Sequence, residues 1–298
     1  MQVRDPHWLT YFRIHYRLAR HYRQGRALLA GDAVHVHSLL GGQGMNAGIQ
    51  DAYNLAWKLA LVVRGLAPES LLESYEKERR AVAEDVLETT KRLTDRVELF
   101  DHLSDAERKR HFFNVVTPEP ERLAEAQHIE ELDLDYRKSP ICVEAEAGHS
   151  GAARLRGGPH AGAQAPDASP LQIDDRSLTL YQLLQSTKHS LLLFSGSLRN
   201  PSAFDALESP AALAIRDYGH LTNVYIVCTS TRDAGPMDLR RGATIIGDPE
   251  LALHNRYGAE KNSFYLIRPD GYIAYRDQPA NAERLRHYLE GVFGGGNG

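Results

Sequence analysis

The sequence predicts an α/β fold in two parts, and three observations carry that expectation. A short apolar run ends at Gly31-Asp32 and leads through a glycine-dense stretch into a long helical pattern, the strand-to-helix corner of an α/β sheet. In the second half, apolar strands alternate with helical patterns. Between them lies a segment rich in Gly, Ala, Pro and Ser. With 298 residues the chain has the length of two domains of about 150 residues each. The expected boundaries are 1–147 for the first part, 148–170 for a linker or ordered crossover, and 171–298 for the second.

Composition narrows the function. The charge sum of −4 is near neutral, which argues against a dedicated nucleic-acid binder. No uncharged apolar window approaches the ~18 residues of a membrane span. Cys142 and Cys228 are the only cysteines, which removes a disulfide framework, a CxxC pair and a cysteine zinc site. The expectation is a protein of the reducing cytoplasm. The arginine-rich start lacks the apolar core of a secretory signal.

The elements follow in order. Phe12, Ile14, Tyr16 and Leu18 alternate with Arg13, His15 and Arg17, the period of a half-exposed strand. Arg26–Ala30 reads as a buried strand closed by Gly31-Asp32. After Gly41-Gly42-Gln43-Gly44, the residues Met45, Ile49, Ala52, Tyr53, Ala56, Leu59, Ala60 and Val63 recur at helical spacing, so this stripe is expected to be buried. Asn46, Gln50 and Asn54 form a separate polar line. Gly65 stops the helix, and Glu69 to about Phe100 forms a second, charge-rich one whose charges read as a solvated surface.

In the second half, Leu191–Ser195 and Val224–Thr229 read as strands around a helix over Ser202–Tyr218. Asp248-Pro249 reads as a helix start. Phe264–Ile267 and Tyr272–Tyr275 flank Arg268-Pro269-Asp270-Gly271, a turn whose proline presets one angle and whose glycine accepts positive φ. A final helix runs from Ala282 to Val292, before a glycine-rich tail. Strand, helix, strand, helix, strand, hairpin and helix in this order give a thioredoxin-like α/β sandwich.

The chemistry concentrates in Gly25–Lys58. A short carboxylate, Asp32, at the carboxyl end of a strand can accept hydrogen bonds from a ribose. The glycines let backbone approach a ligand, and they lead into a helix N-terminus whose free N–H groups favour an electron-rich ring edge. This segment resembles the second FAD-binding motif of the aromatic-ring flavin monooxygenases, the phenol hydroxylase and polyketide hydroxylase group. The likeness is carried by Gly31, Asp32, Ala33, His35, Gly41, Gly42, Gln43, Gly44, Met45, Asn46, Gly48, Gln50, Asp51 and Trp57. Leu72–Tyr75 and Glu78-Arg79 fit the family's next helix, and Arg156-Gly157-Gly158, Ala165-Pro166-Asp167 and Arg268–Gly271 resemble its thioredoxin-like tail.

The resemblance implies a partial FAD-binding, Rossmann-like segment with long helices, followed by a redox-inactive thioredoxin-like domain. It assigns FAD contacts to Gly31, Asp32, Gly41, Gly42, Gln43, Gly44, Met45 and Asn46, and names no catalytic or metal-binding residue. It implies NAD(P)H as co-substrate, and hydroxylation of an aromatic small molecule by O2 through a flavin hydroperoxide. Two departures stand out. The loop His37-Ser38-Leu39-Leu40 lacks the family's prolines, and no strand followed by G-x-G-x-x-G occurs. The corresponding partner is an N-terminal FAD-domain chain. The rival reading is a remnant or scaffold that does not hold FAD.

Other residues read more plainly. His35 and His37 lack a third ligand at metal spacing, so a structural role is expected. Trp57 and Cys228 read as core, and Gln50 and Asn54 as structural. Gly196–Asn200, where a working thioredoxin carries its cysteines, has no sulfur, which leaves docking or dimerisation for the second domain.

Overall fold

The computed structural model describes residues 13–39, 42–101, 134–145, 157–197, 203–230 and 242–294, with Ser104, Glu107 and Leu155. Contacts group the chain into two compact units, Met1–Ala52 with Arg79–Asp133, and Tyr53–Glu78 with Leu134–Gly298. Residues 53–78 thus belong with the C-terminal residues, although the sequence suggests a boundary near 147. The reason is a buried charge cluster described below.

In the first unit, β1 (Arg17–Leu18) pairs antiparallel with β4 (His35–Val36), with Leu18 opposite His35. The expected strand over 12–18 is realised only at these two residues, and Phe12 lies outside the described residues. β2 (Arg23–Gln24) and β3 (Ala27–Leu28) form a hairpin around Gly25. The buried strand expected over Arg26–Ala30 is therefore a short, half-exposed one, with Leu29 42% exposed. Among the described residues it pairs with β2 alone.

Helix α1 (Gln43–Val63) overturns the expected burial. Ala47, Asp51, Asn54, Lys58 and Leu61 face inward. Of the apolar stripe, Met45 is 74%, Ile49 60%, Tyr53 57% and Val63 77% exposed. Both stripes have three- and four-residue spacing, so periodicity cannot choose between them. Ion pairing does, because it satisfies the polar stripe inside the protein. In α2 (Glu73–Asp101), Tyr75, Val82 and Val86 are buried as expected. Its charges are not all solvated, since Glu78 and Arg79 are buried in ion pairs.

The second unit is built on an eight-stranded sheet among the described residues. Its centre is β8 (His189–Phe194), every residue of which is buried. β8 lies parallel to β9 (Thr222–Cys228), and β9 lies parallel to β10 (Ala243–Gly247). On the other side, β11 (Ser263–Ile267) pairs antiparallel with β8 and with β12 (Ile273–Asp277). The edges are β5 (Val143–Glu144) beside β12, and β6 (Leu171–Ile173) with β7 (Arg176–Leu178) beside β10.

After the short helix α3 (Leu180–Leu183), α4 (Ala203–Tyr218) connects β8 to β9, and α6 (Ala282–Phe293) follows β12, capped by Asn281. This is the thioredoxin-like order. The helix expected at Asp248-Pro249 starts later, as α5 (Ala252–Arg256). Asp248 instead accepts hydrogen bonds from the His254 backbone N–H and Nδ1, both at 2.8 Å. The expected linker is an ordered crossover where described. Ala161, Ala165 and Ala168 are buried, and Gly158 (φ +66) leaves no space, since a Cβ there would stand 2.2 Å from the Tyr257 carbonyl oxygen.

Candidate functional site

Gly31–Ala33 forms a single 3-10 turn in the first unit. Gly31 adopts φ +59, a left-handed conformation suited to glycine. Its backbone rests on α1, where a Cβ on Gly48 would stand 3.4 Å from the Gly31 Cα. The Gly31 N–H donates to Asp51 Oδ2 at 3.0 Å. The same oxygen accepts from His35 Nε2 at 2.9 Å, and Arg79 Nε donates to Oδ1 at 2.6 Å. Burial alone would raise the Asp51 carboxyl, but these donors and the Arg79 charge hold it below the usual carboxylate range. His35 has the structural role expected of it, and Gln50 accepts from Arg79 Nη1 at 3.1 Å.

The turn leaves Asp32 exposed. Gly42, at φ +68 with no heavy atom within 4 Å of a Cβ position, precedes the first turn of α1. Met45 and Asn46 are exposed there, Gly44 is half-buried against His37, and Gln43 is buried. Gly41 and Leu40 lie outside the described residues. An exposed carboxylate accepts from hydroxyl groups and the N–H groups of a helix start donate to an electron-rich edge, so this set fits a dinucleotide with a ribose and a polar ring edge. Among the described residues, no group of three or more His, Cys, Asp or Glu is placed to hold a metal ion.

A second cluster, inside the second unit, joins residues too far apart in sequence for local patterning to link them. Glu78 accepts from Lys58 Nζ at 2.8 Å, Arg268 Nη1 and Nη2 at 2.8 and 2.9 Å, Asn54 Nδ2 at 2.7 Å and Ser139 Oγ at 2.5 Å. Arg268 also donates to Asp270 through Nε at 2.8 Å, and Trp57 Nε1 donates to Asp270 at 3.0 Å. The guanidinium lies over the rings of Trp57, Tyr136 and Tyr272. Burial would raise the Glu78 carboxyl, but the Arg268 and Lys58 charges hold it far below the usual range. For Lys58 burial is the larger effect and lowers its ammonium to about 8. The Arg268–Gly271 turn expected from the sequence is present, with Gly271 at φ +84, but its charged residues are buried anchors.

Cys228 ends β9 as a buried thiol near the carbonyls of Ser230 and Ile246. Part of the loop after β8, from Leu198 to Asn200, lies outside the described residues.

The first unit thus offers a turn and helix start suited to a dinucleotide, and the second a thioredoxin-like order of elements. Residues 2–90 match the family model described as FAD binding domain, and residues 158–295 match that of the aromatic-ring hydroxylase C-terminal domain. Over these two stretches the chain is similar to FAD-dependent aromatic-ring monooxygenases. It is 33% identical over 294 residues to 6-methylpretetramide 4-monooxygenase of Streptomyces rimosus, covering 97% of this chain and 48% of that protein. To pentachlorophenol 4-monooxygenase of Sphingobium chlorophenolicum it is 32% identical over 285 residues, covering 91% and 46%. Among solved structures, aklavinone-11 hydroxylase with FAD and aklavinone superposes with a TM-score of 0.62 at 26% identity, covering 93% of this chain and 45% of that one. The chain thus spans about half the length of the relatives it matches. No helix among the described residues is long and apolar enough to cross a membrane.

Proposed function

We propose that the chain carries the ribose- and ring-edge-binding part of an FAD-dependent monooxygenase that hydroxylates an aromatic small molecule. The observation that carries the reading is one corner with two complementary parts, the exposed Asp32 carboxylate and the first turn of α1, where Met45 and Asn46 are exposed. Asp32 accepts hydrogen bonds from the ribose hydroxyls. The N–H groups of Gln43–Asn46, at the positive end of the helix, hold the electron-rich edge of the ring and favour negative charge there. Gly42 gives backbone-close access, and Met45 packs on the ligand. Bound FAD supplies the redox chemistry, with NAD(P)H as reductant and O2 as oxidant.

The exposed Ile49 supports a partner surface on the first unit, supplied by polypeptide carrying the remainder of the FAD domain. The thioredoxin-like unit takes a docking or dimerisation role, and the assembly works in the cytoplasm. Flavin titration tests the reading. Asp32→Ala is expected to weaken FAD binding by about 1–3 kcal/mol, the cost of leaving polar partners unmatched. Unchanged affinity refutes the assignment. Absence of a bound yellow flavin, both alone and on co-expression with a G-x-G-x-x-G chain, favours the scaffold reading instead.

A further inference from the structure

The inference rests on the reading of the Gly31–Asn46 corner as an FAD site and deepens it. We propose that Asp51 is the positioning residue of that site, fixing the Gly31–Asp32 turn on α1 so that the Asp32 carboxylate stands where the ribose requires it. Asp51 itself has no exposed surface, so it meets neither solvent nor ligand. Donors from three separate segments converge on its carboxylate: the Gly31 N–H of the turn, His35 Nε2 of β4 and Arg79 Nε of α2. A carboxylate only accepts, so His35 carries its hydrogen on Nε2. Arg79 is itself held by the Ala47 carbonyl, at 3.1 Å, and by Gln50.

The clamp acts on a turn with little latitude. Gly31 is already seated on Gly48, three residues before Asp51 on the same helix, and no side chain fills the space between them. Asp32 is the next residue, exposed and dependent on the turn for its direction. The N–H groups of Gln43–Asn46 belong to the helix that carries Asp51. One buried carboxylate therefore sets the relation between the two ligand-facing parts of the corner. Such fixing of a ligand-binding group by a residue behind it is what makes a site preorganised.

The experiment combines FAD titration by fluorescence with hydrogen–deuterium exchange of the peptide covering residues 29–36. In Asp51→Asn, exchange at the turn is expected to rise about tenfold and FAD affinity to fall about tenfold, the scale seen when a supporting residue is lost. In Asp32→Ala, affinity falls while exchange stays as in the wild type. The double variant binds no more weakly than the weaker single variant, because a loose turn no longer presents Asp32. His35→Gln keeps a donor for Asp51 and retains affinity, whereas His35→Phe loses it. These two variants carry the test should Asp51→Asn fail to fold.

Unaltered exchange in Asp51→Asn, or losses that add in the double variant, overturns the proposal. Failure of the FAD reading has a different signature. Asp32→Ala then leaves FAD affinity unchanged while exchange still responds to Asp51→Asn, and Asp51 is a structural clamp only.

Discussion

Replacing Glu78 by glutamine tests the buried charge cluster. Lys58, Arg268, Glu78 and Asp270 are all buried, and their formal charges cancel. Glutamine keeps the shape but leaves one uncompensated positive charge, and removing one partner of a buried pair costs about 3–5 kcal/mol. For a unit of this size, that lowers the thermal midpoint by about 6–20 °C. Urea unfolding should show the same loss as a shifted midpoint with unchanged slope.

The dependence on pH follows from the depressed Glu78 carboxyl. A folded value below the unfolded one contributes stability that is complete above the ordinary glutamate range, near about 4.3, and is lost as pH falls toward the folded value. The margin of the wild type over Glu78→Gln is therefore full at and above about pH 6 and shrinks steadily in acid. Adding Lys58→Met to Glu78→Gln cancels the excess charge and should recover part of the loss. A Glu78→Gln protein within about 1 kcal/mol of the wild type at neutral pH would refute the reasoning.

Two further outcomes are expected. Gly158→Ala places a Cβ against the Tyr257 carbonyl at a positive-φ position, so it should destabilise by at least about 2 kcal/mol in urea unfolding. Val63→Lys, on the exposed side of α1, should change stability by less than about 0.5 kcal/mol while reducing binding of a hydrophobic dye.

The chemistry-bearing corner was legible because glycines, a short carboxylate and a helix start are local features that follow one another in sequence. The hairpin at Arg268–Gly271 and the strands at 191 and 224 were legible for the same reason, as turn chemistry and apolar runs. The inward face of α1 was not. Asp51, Asn54 and Lys58 look like solvent residues until Arg79 and Glu78 are brought beside them, and that requires the tertiary fold. Strands β6, β7 and β10 escaped notice because they are short or half-exposed, with a weak alternating pattern. Asp248 has the sequence pattern of a local cap, but it serves a helix that begins four residues further on.

The bond between Glu78 and Arg268 joins positions 190 residues apart. During synthesis at 5–20 residues per second, the end of α1 and the start of α2 leave the ribosome on the order of ten to forty seconds before Arg268 and Asp270 exist. Through that interval Lys58 and Glu78 have each other but not their full set of counter-charges, and the apolar side of α1 is open to the surroundings as well. The cluster is thus complete only once the Arg268–Gly271 turn has been made, and a nascent chain stalled before that point holds Lys58 and Glu78 with only part of their partners.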